Sequence, residues 1–87
     1  MQKRVTIIRA DNSVEILKPD KKPTLEQMQK WVGGYIETLD VRYEGKAGTM
    51  VVNEEGRIYN LSPNLVASEI AGLLILGDVF ILEGWGL

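Results

Sequence analysis

Residues 78–83 read DVFILE, and the four positions between Asp78 and Glu83 are all large and apolar. A strand with one face in water alternates between apolar and polar residues, whereas a strand covered on both faces is apolar throughout. Gly77, directly before the stretch, marks the end of the preceding element. The pattern predicts that residues 78–83 form an interior strand of a sheet.

A second central strand is predicted over Thr49–Asn53, because Met50, Val51 and Val52 follow one another without a polar residue. Four further strands are predicted from β-branched or alternating patterns separated by turn-forming residues. They are Arg4–Arg9 and Val14–Lys18, joined in a hairpin by Asp11-Asn12-Ser13, then Tyr35–Tyr43 and Ile58–Leu61, with turns at Glu44–Gly48 and Glu54–Arg57.

Two amphipathic helices are expected to cover the sheet. The first is predicted over Leu25–Val32, since Thr24 and Gln27 have the spacing of a capping box and Gly33-Gly34 supplies the backbone freedom that ends a helix. The second is predicted to start at Ser62-Pro63-Asn64 and to close at Gly77. Its apolar face would consist of Val66, Ile70, Leu73 and Leu74.

These elements predict a single α+β domain over residues 1–87, with a mixed sheet and two helices in the order β-β-α-β-β-β-α-β. The chain has neither cysteine nor histidine, so it lacks disulfides and the usual ligands of structural zinc. We therefore expect no metal, no cofactor and a cytoplasmic location. Neither a membrane span nor a signal peptide is expected, because the longest apolar run, Ile70–Leu76, is far shorter than the ~20 residues of a span.

The formal charge of -2 is unevenly distributed. Residues 1–30 hold seven Lys and Arg against four Asp and Glu, whereas residues 31–87 hold three against eight. The acidic majority argues against binding to nucleic acid, whose affinity comes from clustered cations. The only basic cluster, Lys18, Lys21 and Lys22, lies beside two prolines and is interpreted as a solvated loop.

Catalysis is not expected, because histidine and cysteine are the side chains most easily poised near neutral pH. Glu54 and Glu55 are neighbours in a turn and do not face each other as an acid and a base would. Glu37 falls on the otherwise apolar face of the strand Tyr35–Tyr43, and two interpretations stay open. It is a ligand-facing carboxylate, which in an enzyme would act as a base, or an edge position or bulge returns it to solvent.

Three asparagines, Asn53, Asn60 and Asn64, bracket the acidic turn and the start of the second helix, where an anion could bind. Capping and turn bonding explain them equally well. Trp31 and Trp85 are candidates for an interface, although packing against the edge of the core accounts for each as well.

Four segments carry a family resemblance. They are VGGYIE at 32–37, VVNEEG at 51–56, LSPN at 61–64 with Ala67, and GDV at 77–79. In this order and spacing they resemble the domain of unknown function 3846, over nearly the whole chain. The resemblance implies a small accessory protein of phages, plasmids and the bacteria that carry them, and it implies no activity. It marks a candidate shared surface at Gly33, Gly34, Tyr35, Glu37, Asn53, Glu54, Gly56, Asn60 and Asn64.

The leading functional hypothesis is a non-enzymatic binding protein of a phage or mobile element, which occupies a host or phage protein or associates with itself. The alternative is a protein that binds or sequesters a small, nucleotide-like signal near Tyr35, Glu37, Asn53 and Asn64. An enzyme with Glu37 as its base is a third possibility.

Overall fold

The computed structural model describes residues 3–85, which form five strands and two helices. In chain order the elements are β1 (Arg4–Ile8), β2 (Val14–Leu17), α1 (Leu25–Val32), β3 (Ile36–Tyr43), β4 (Lys46–Asn53), α2 (Leu65–Ala71) and β5 (Val79–Glu83). The α+β class is confirmed, and so is the order of the two helices and these five strands. One additional short strand, predicted at Ile58–Leu61, does not form.

All five strands belong to one sheet in the order β2-β1-β5-β4-β3, and every neighbouring pair is antiparallel. The prediction of a mixed sheet was therefore wrong. Two hairpins, β1–β2 and β3–β4, reverse the chain between neighbours, and β5 enters between β1 and β4 in the direction opposite to both. Strand direction depends on which strands become neighbours, and the residue pattern of a single strand does not contain that information.

The interior position predicted for the last strand is confirmed, because β5 is the middle strand and all of its residues are buried. Val79 and Ile81 belong to a core packed beneath α2, whereas Phe80 and Leu82 belong to a second core beneath α1. We call these two sides the α2 face and the α1 face of the sheet. The molecule is thus a sheet with one short helix on each face.

The first helix has the bounds that the sequence predicts. The Thr24 side chain accepts a hydrogen bond from the backbone amide of Gln27 at 3.1 Å, which confirms the N-cap. Gly33 ends the helix in the left-handed region with a φ of 82°, and its amide donates to the carbonyl of Gln29.

The second helix is shorter than predicted. It ends at Ala71, because Gly72 takes a φ of 75° and its amide donates to the carbonyl of Ser68. The Ser68 hydroxyl then accepts a hydrogen bond from the amide of Ile75 at 2.8 Å, which turns the chain back towards the helix.

Gly77 therefore does not close this helix. Leu73 and Leu74, predicted to complete its apolar face, lie exposed in the loop that follows. Gly72 was a readable stop signal, but apolar residues continue on both sides of it and favoured a longer helix.

β3 and β4 pair along their full lengths without a bulge. The turn between them consists of Glu44 and Gly45, with φ values of 52° and 79°, as a two-residue type I′ hairpin requires. β4 therefore starts at Lys46, earlier than the predicted Thr49, since Gly48 belongs to the strand and not to the turn.

Residues 58–60 form turns and Leu61 has no regular structure, where a strand was predicted. The amides of Tyr59, Asn60 and Leu61 donate to the carbonyls of Glu55, Arg57 and Gly56, respectively. These local bonds satisfy the donors that a sheet would otherwise have paired, so the apolar residues of the segment do not extend into a strand.

Candidate functional site

A groove opens on the α2 face, at the end of the sheet where β3 begins and β4 ends. Its cavity volume is about 270 Å³. It is lined by Glu37 and Leu39 of β3, by Val52 and Asn53 of β4, and by two loops, residues 54–58 and 73–76. The groove therefore combines a sheet end with two loops that are distant in sequence.

Asn53 shapes the first of these loops. Its side-chain oxygen accepts a hydrogen bond from the amide of Glu55 at 2.7 Å, and its side-chain nitrogen donates to the carbonyl of Val32 at 3.0 Å. The buried amide thus ties the loop to the end of α1. Both of its polar atoms are used inside the molecule, so Asn53 contributes the shape of the groove and not a free ligand-binding amide.

Gly56 allows the two loops to touch. A Cβ atom at this position would lie 3.2 Å from the Cβ of Leu76 and 3.5 Å from its carbonyl oxygen. Because the first distance is tighter than ordinary van der Waals contact, a larger residue would require Leu76 to shift by a few tenths of an ångström. The glycine of the motif VVNEEG therefore has a packing role at the groove.

Three large apolar side chains line the groove and lie open to solvent, and we call them the apolar rim. Ile58 is 76% exposed, Leu73 54% and Leu74 57%. Tyr35 and Tyr59 are also exposed, the first joined to the groove by a hydrogen bond from the amide of Glu54 to its carbonyl at 2.8 Å. Exposed apolar residues that occur singly are ordinary, whereas a contiguous group marks a binding surface.

The charge of the groove is negative. Its lining contains three carboxylates, Glu37, Glu54 and Glu55, and one guanidinium, that of Arg57, which leaves a formal charge of −2. We call the three carboxylates the acidic rim. A concave surface with charge of one sign attracts ligands of the opposite charge. This negative groove therefore favours cations and repels phosphates.

A family model described as Domain of unknown function (DUF3846) matches residues 2–86. The chain belongs to this family. Neither the comparison with curated proteins nor the comparison with solved structures gave a match.

Within this DUF3846 domain the groove contains part of the candidate shared surface. Glu37, Asn53, Glu54 and Gly56 line it. Glu37 is exposed on the edge strand β3, in agreement with the interpretation that an edge position returns it to solvent. Tyr35 lies beside the groove, and Asn60 is exposed in the turn region with a φ of 53°.

Asn64 of the DUF3846 domain lies elsewhere, fully buried at the start of α2. Its side-chain oxygen accepts from the amide of Ala67 at 3.0 Å, while its side-chain nitrogen donates to the carbonyls of Ile8 at 3.0 Å and Gly77 at 2.9 Å. These bonds join α2, β1 and the loop before β5. The side chain is therefore a structural cap, and it does not face the groove.

The two tryptophans both pack against the core beneath α1. Trp31 stacks edge-on against Phe80, with ring centroids 5.1 Å apart at an interplanar angle of 76°. Both side chains are partly exposed. Packing against this core thus covers part of each tryptophan side chain. Their role at an interface stays a prediction.

The apolar rim was not predicted from the sequence. Ile58 was assigned to a strand, and Leu73 and Leu74 to the buried face of a helix. The signals that could have revealed them were Gly72 as a helix stop and Asn60 as a turn-forming residue, which adopts a φ of 53°.

Other features of the DUF3846 domain lie outside the groove. Arg4 donates to Glu83 through Nε at 2.9 Å, and this hydrogen bond raises the pKa of the Arg4 guanidinium. Burial raises the pKa of the nearby Tyr43 phenol. Within residues 3–85 there is no group of three or more acidic residues arranged to hold a metal ion, and neither helix is long and apolar enough to cross a membrane.

Proposed function

We propose that this domain is a non-enzymatic binding protein that holds a segment of a partner protein in the groove. One observation supports this most: an apolar rim and an acidic rim lie around the same concavity. Apolar side chains in contact with a partner gain by leaving water, and surrounding charges select which partner is accepted.

The chemistry of the groove defines the segment that would fit. Large apolar side chains would cover Ile58, Leu73 and Leu74, and lysine or arginine would approach Glu37, Glu54 and Glu55. An acidic segment would meet like charges across a concave surface and be rejected. The partner is therefore expected to present a basic and apolar segment.

The biological setting is part of the proposal. The family resemblance favours a phage or another mobile element as the source and a host or phage protein as the partner. We propose that the domain acts in the cytoplasm, where such a partner would be met.

Affinity capture with matched variants tests the binding role. Leu73→Ser combined with Leu74→Ser removes most of the apolar rim, whereas Leu65→Ser changes an equally large side chain that is 67% exposed on α2 and does not line the groove. We expect a protein captured from a host lysate by the wild-type chain to be lost with the double variant and kept with the control. Equal capture by all three chains, or capture by none, would count against the proposal.

Small-ligand binding is the second candidate, because the groove volume of about 270 Å³ is close to the lower limit of small-molecule sites, roughly 300 Å³. The acidic rim disfavours nucleotides, so a cationic ligand fits better. Thermal-shift screening separates the candidates, since a ligand at 100 times its dissociation constant adds about 2.7 kcal/mol of stability. A large increase in thermal stability with a nucleotide would contradict the prediction that the ligand is cationic.

A further inference from the structure

The outer edge of β3 has unpaired backbone groups along its whole length. β3 is the last strand of the sheet and runs over Ile36–Tyr43. The amide of Glu54 donates to the carbonyl of Tyr35, so Tyr35 and every second residue after it direct their backbone groups towards β4. The amides and carbonyls of the alternate residues, Ile36, Thr38, Asp40 and Arg42, therefore point away from the sheet.

Nothing within residues 3–85 covers this edge with a further strand, and no backbone hydrogen bond reaches those four outward positions. Native proteins protect long edges with bulges, prolines, a short strand length or charged side chains. β3 has neither a bulge nor a proline, since its register with β4 is continuous over eight residues, and it carries the charged side chains of Glu37, Asp40 and Arg42. The other edge strand, β2, has only four residues.

Asp40 and Arg42 are neighbours on the α1 face of this open edge, and both are exposed. Asp40 has no hydrogen bond or ion pair among the described residues, and the Arg42 guanidinium makes one exposed bond of 3.2 Å to the carbonyl of Gly45. Their charges cancel. The middle of the edge therefore differs from the groove, whose negative charge favours a basic partner.

We propose that β3 pairs antiparallel with β3 of a second copy of this chain, with Val41 opposite Val41. In this register Asp40 of each copy faces Arg42 of the other, which gives two crossed ion pairs on the α1 face. On the α2 face, Leu39 of each copy faces Tyr43 of the other. The two five-stranded sheets become one continuous sheet of ten strands.

The residues of β3 select this register over its neighbours. With Leu39 opposite Leu39, Asp40 would face Thr38, and with Asp40 opposite itself, two like charges would meet. Opposite charges across antiparallel strands are stabilising and like charges are destabilising. The Val41-centred pairing has two-fold symmetry and uses the same surface on both copies, so it closes at a dimer.

This interface shares Leu39 with the groove lining but does not depend on the proposed groove function, and charge exchange tests it directly. Sedimentation of D40R or of R42D alone should show a dissociation constant raised at least about tenfold, because each variant places like charges opposite one another. D40R/R42D should restore the dimer with its ion pairs reversed. An equimolar mixture of the two single variants should form a heterodimer, since one chain carries two cations and the other two anions.

The control variants change the net charge by the same amount as D40R and R42D, but at exposed positions on the helices. E69R and K30D, on α2 and α1, should leave the dissociation constant of the dimer unchanged, and so should the double groove variant Leu73→Ser/Leu74→Ser. A chain that stays monomeric at every concentration overturns the proposal. A dissociation constant that is unchanged in D40R and R42D also overturns the proposal, and so does a dimer that D40R/R42D fails to restore. Either result counts even if partner capture by the groove succeeds.

Discussion

Asn64 makes three hydrogen bonds to backbone atoms of three different segments through one fully buried amide. A buried polar side chain of this kind is stabilising only while all of its partners remain. Its removal takes one donor away from the carbonyls of Ile8 and Gly77 and leaves the amide of Ala67 without its acceptor. At the scale of single residues, one side chain thus holds together α2, β1 and the loop before β5.

We predict that Asn64→Ala lowers the free energy of unfolding by about 3 kcal/mol, from the lost helix cap and the loss of two further buried hydrogen bonds. Urea denaturation measures the change. The matched control is Asn60→Gly, since Asn60 is exposed and its φ of 53° suits glycine; we expect a change within about 0.5 kcal/mol. Similar losses for the two variants would show that the amide of Asn64 is not the cause.

A second residue-scale prediction compares two glycines with the same φ of 82°, Gly33 and Gly77. A Cβ at Gly33 would meet no atom within 4 Å, whereas a Cβ at Gly77 would lie 2.7 Å from Cδ1 of Leu61. Gly33→Ala should therefore cost about 1 kcal/mol of backbone strain. Gly77→Ala should cost up to about 1 kcal/mol more, because Cδ1 at the end of the flexible Leu61 side chain must move away.

A double-mutant cycle with Leu61→Ala isolates the steric part of that difference. In the background of Leu61→Ala, the cost of Gly77→Ala should fall to that of Gly33→Ala. If the cost stays high in that background, backbone strain and not contact with Leu61 determines it.

At the scale of elements, local signals sufficed where they agreed with one another. α1 was predicted with its correct bounds, because Thr24, its apolar spacing and Gly33 all point to the same segment. α2 was predicted too long, because the apolar run across Gly72 outweighed a correct stop signal. The strand expected at Ile58–Leu61 was lost to turn bonds that depend on Asn53 and Gly56, and such bonds have no periodic pattern in the sequence.

The β3–β4 hairpin gives an element-scale prediction. Glu44 adopts a φ of 52°, which is costly for glutamate and easily adopted by asparagine in a type I′ turn. Glu44→Asn also removes an exposed ion pair with Arg4 at 3.2 Å, which contributes only about 0.5 kcal/mol. We therefore predict a net stabilisation of about 0.5 kcal/mol, measured by urea denaturation.

Glu44→Gln is the control for this change, since it removes the ion pair and leaves the turn preference unaltered. It should be slightly destabilising. If Glu44→Asn is no more stable than Glu44→Gln, turn strain is not significant at this position.

At the scale of the whole molecule, the apolar character of residues 78–83 was enough to predict an interior strand. The groove was not predictable in the same way. Its walls, residues 54–58 and 73–76, are brought together only because β5 inserts between β1 and β4. Glu37 and Glu54 were predicted from the sequence as candidates, but the leucines beside them were not.

The charge pattern also takes on meaning at this scale. The excess of acidic residues after residue 30 places three carboxylates around one concavity beside exposed apolar side chains. The middle of the β3 edge has balanced charges instead. The two surfaces are thus suited to different partners, the groove to a basic segment and the edge to a second copy.

Selection from a random peptide library displayed on a surface tests the groove most directly. The immobilised wild-type domain is the target, and binders are then compared on the variant Leu73→Ser/Leu74→Ser and on the control Leu65→Ser. We predict that selected peptides are enriched in lysine or arginine together with large apolar residues, and that they bind the control but not the groove variant. Peptides enriched in aspartate and glutamate, or peptides that bind the groove variant equally well, would contradict the proposed binding function.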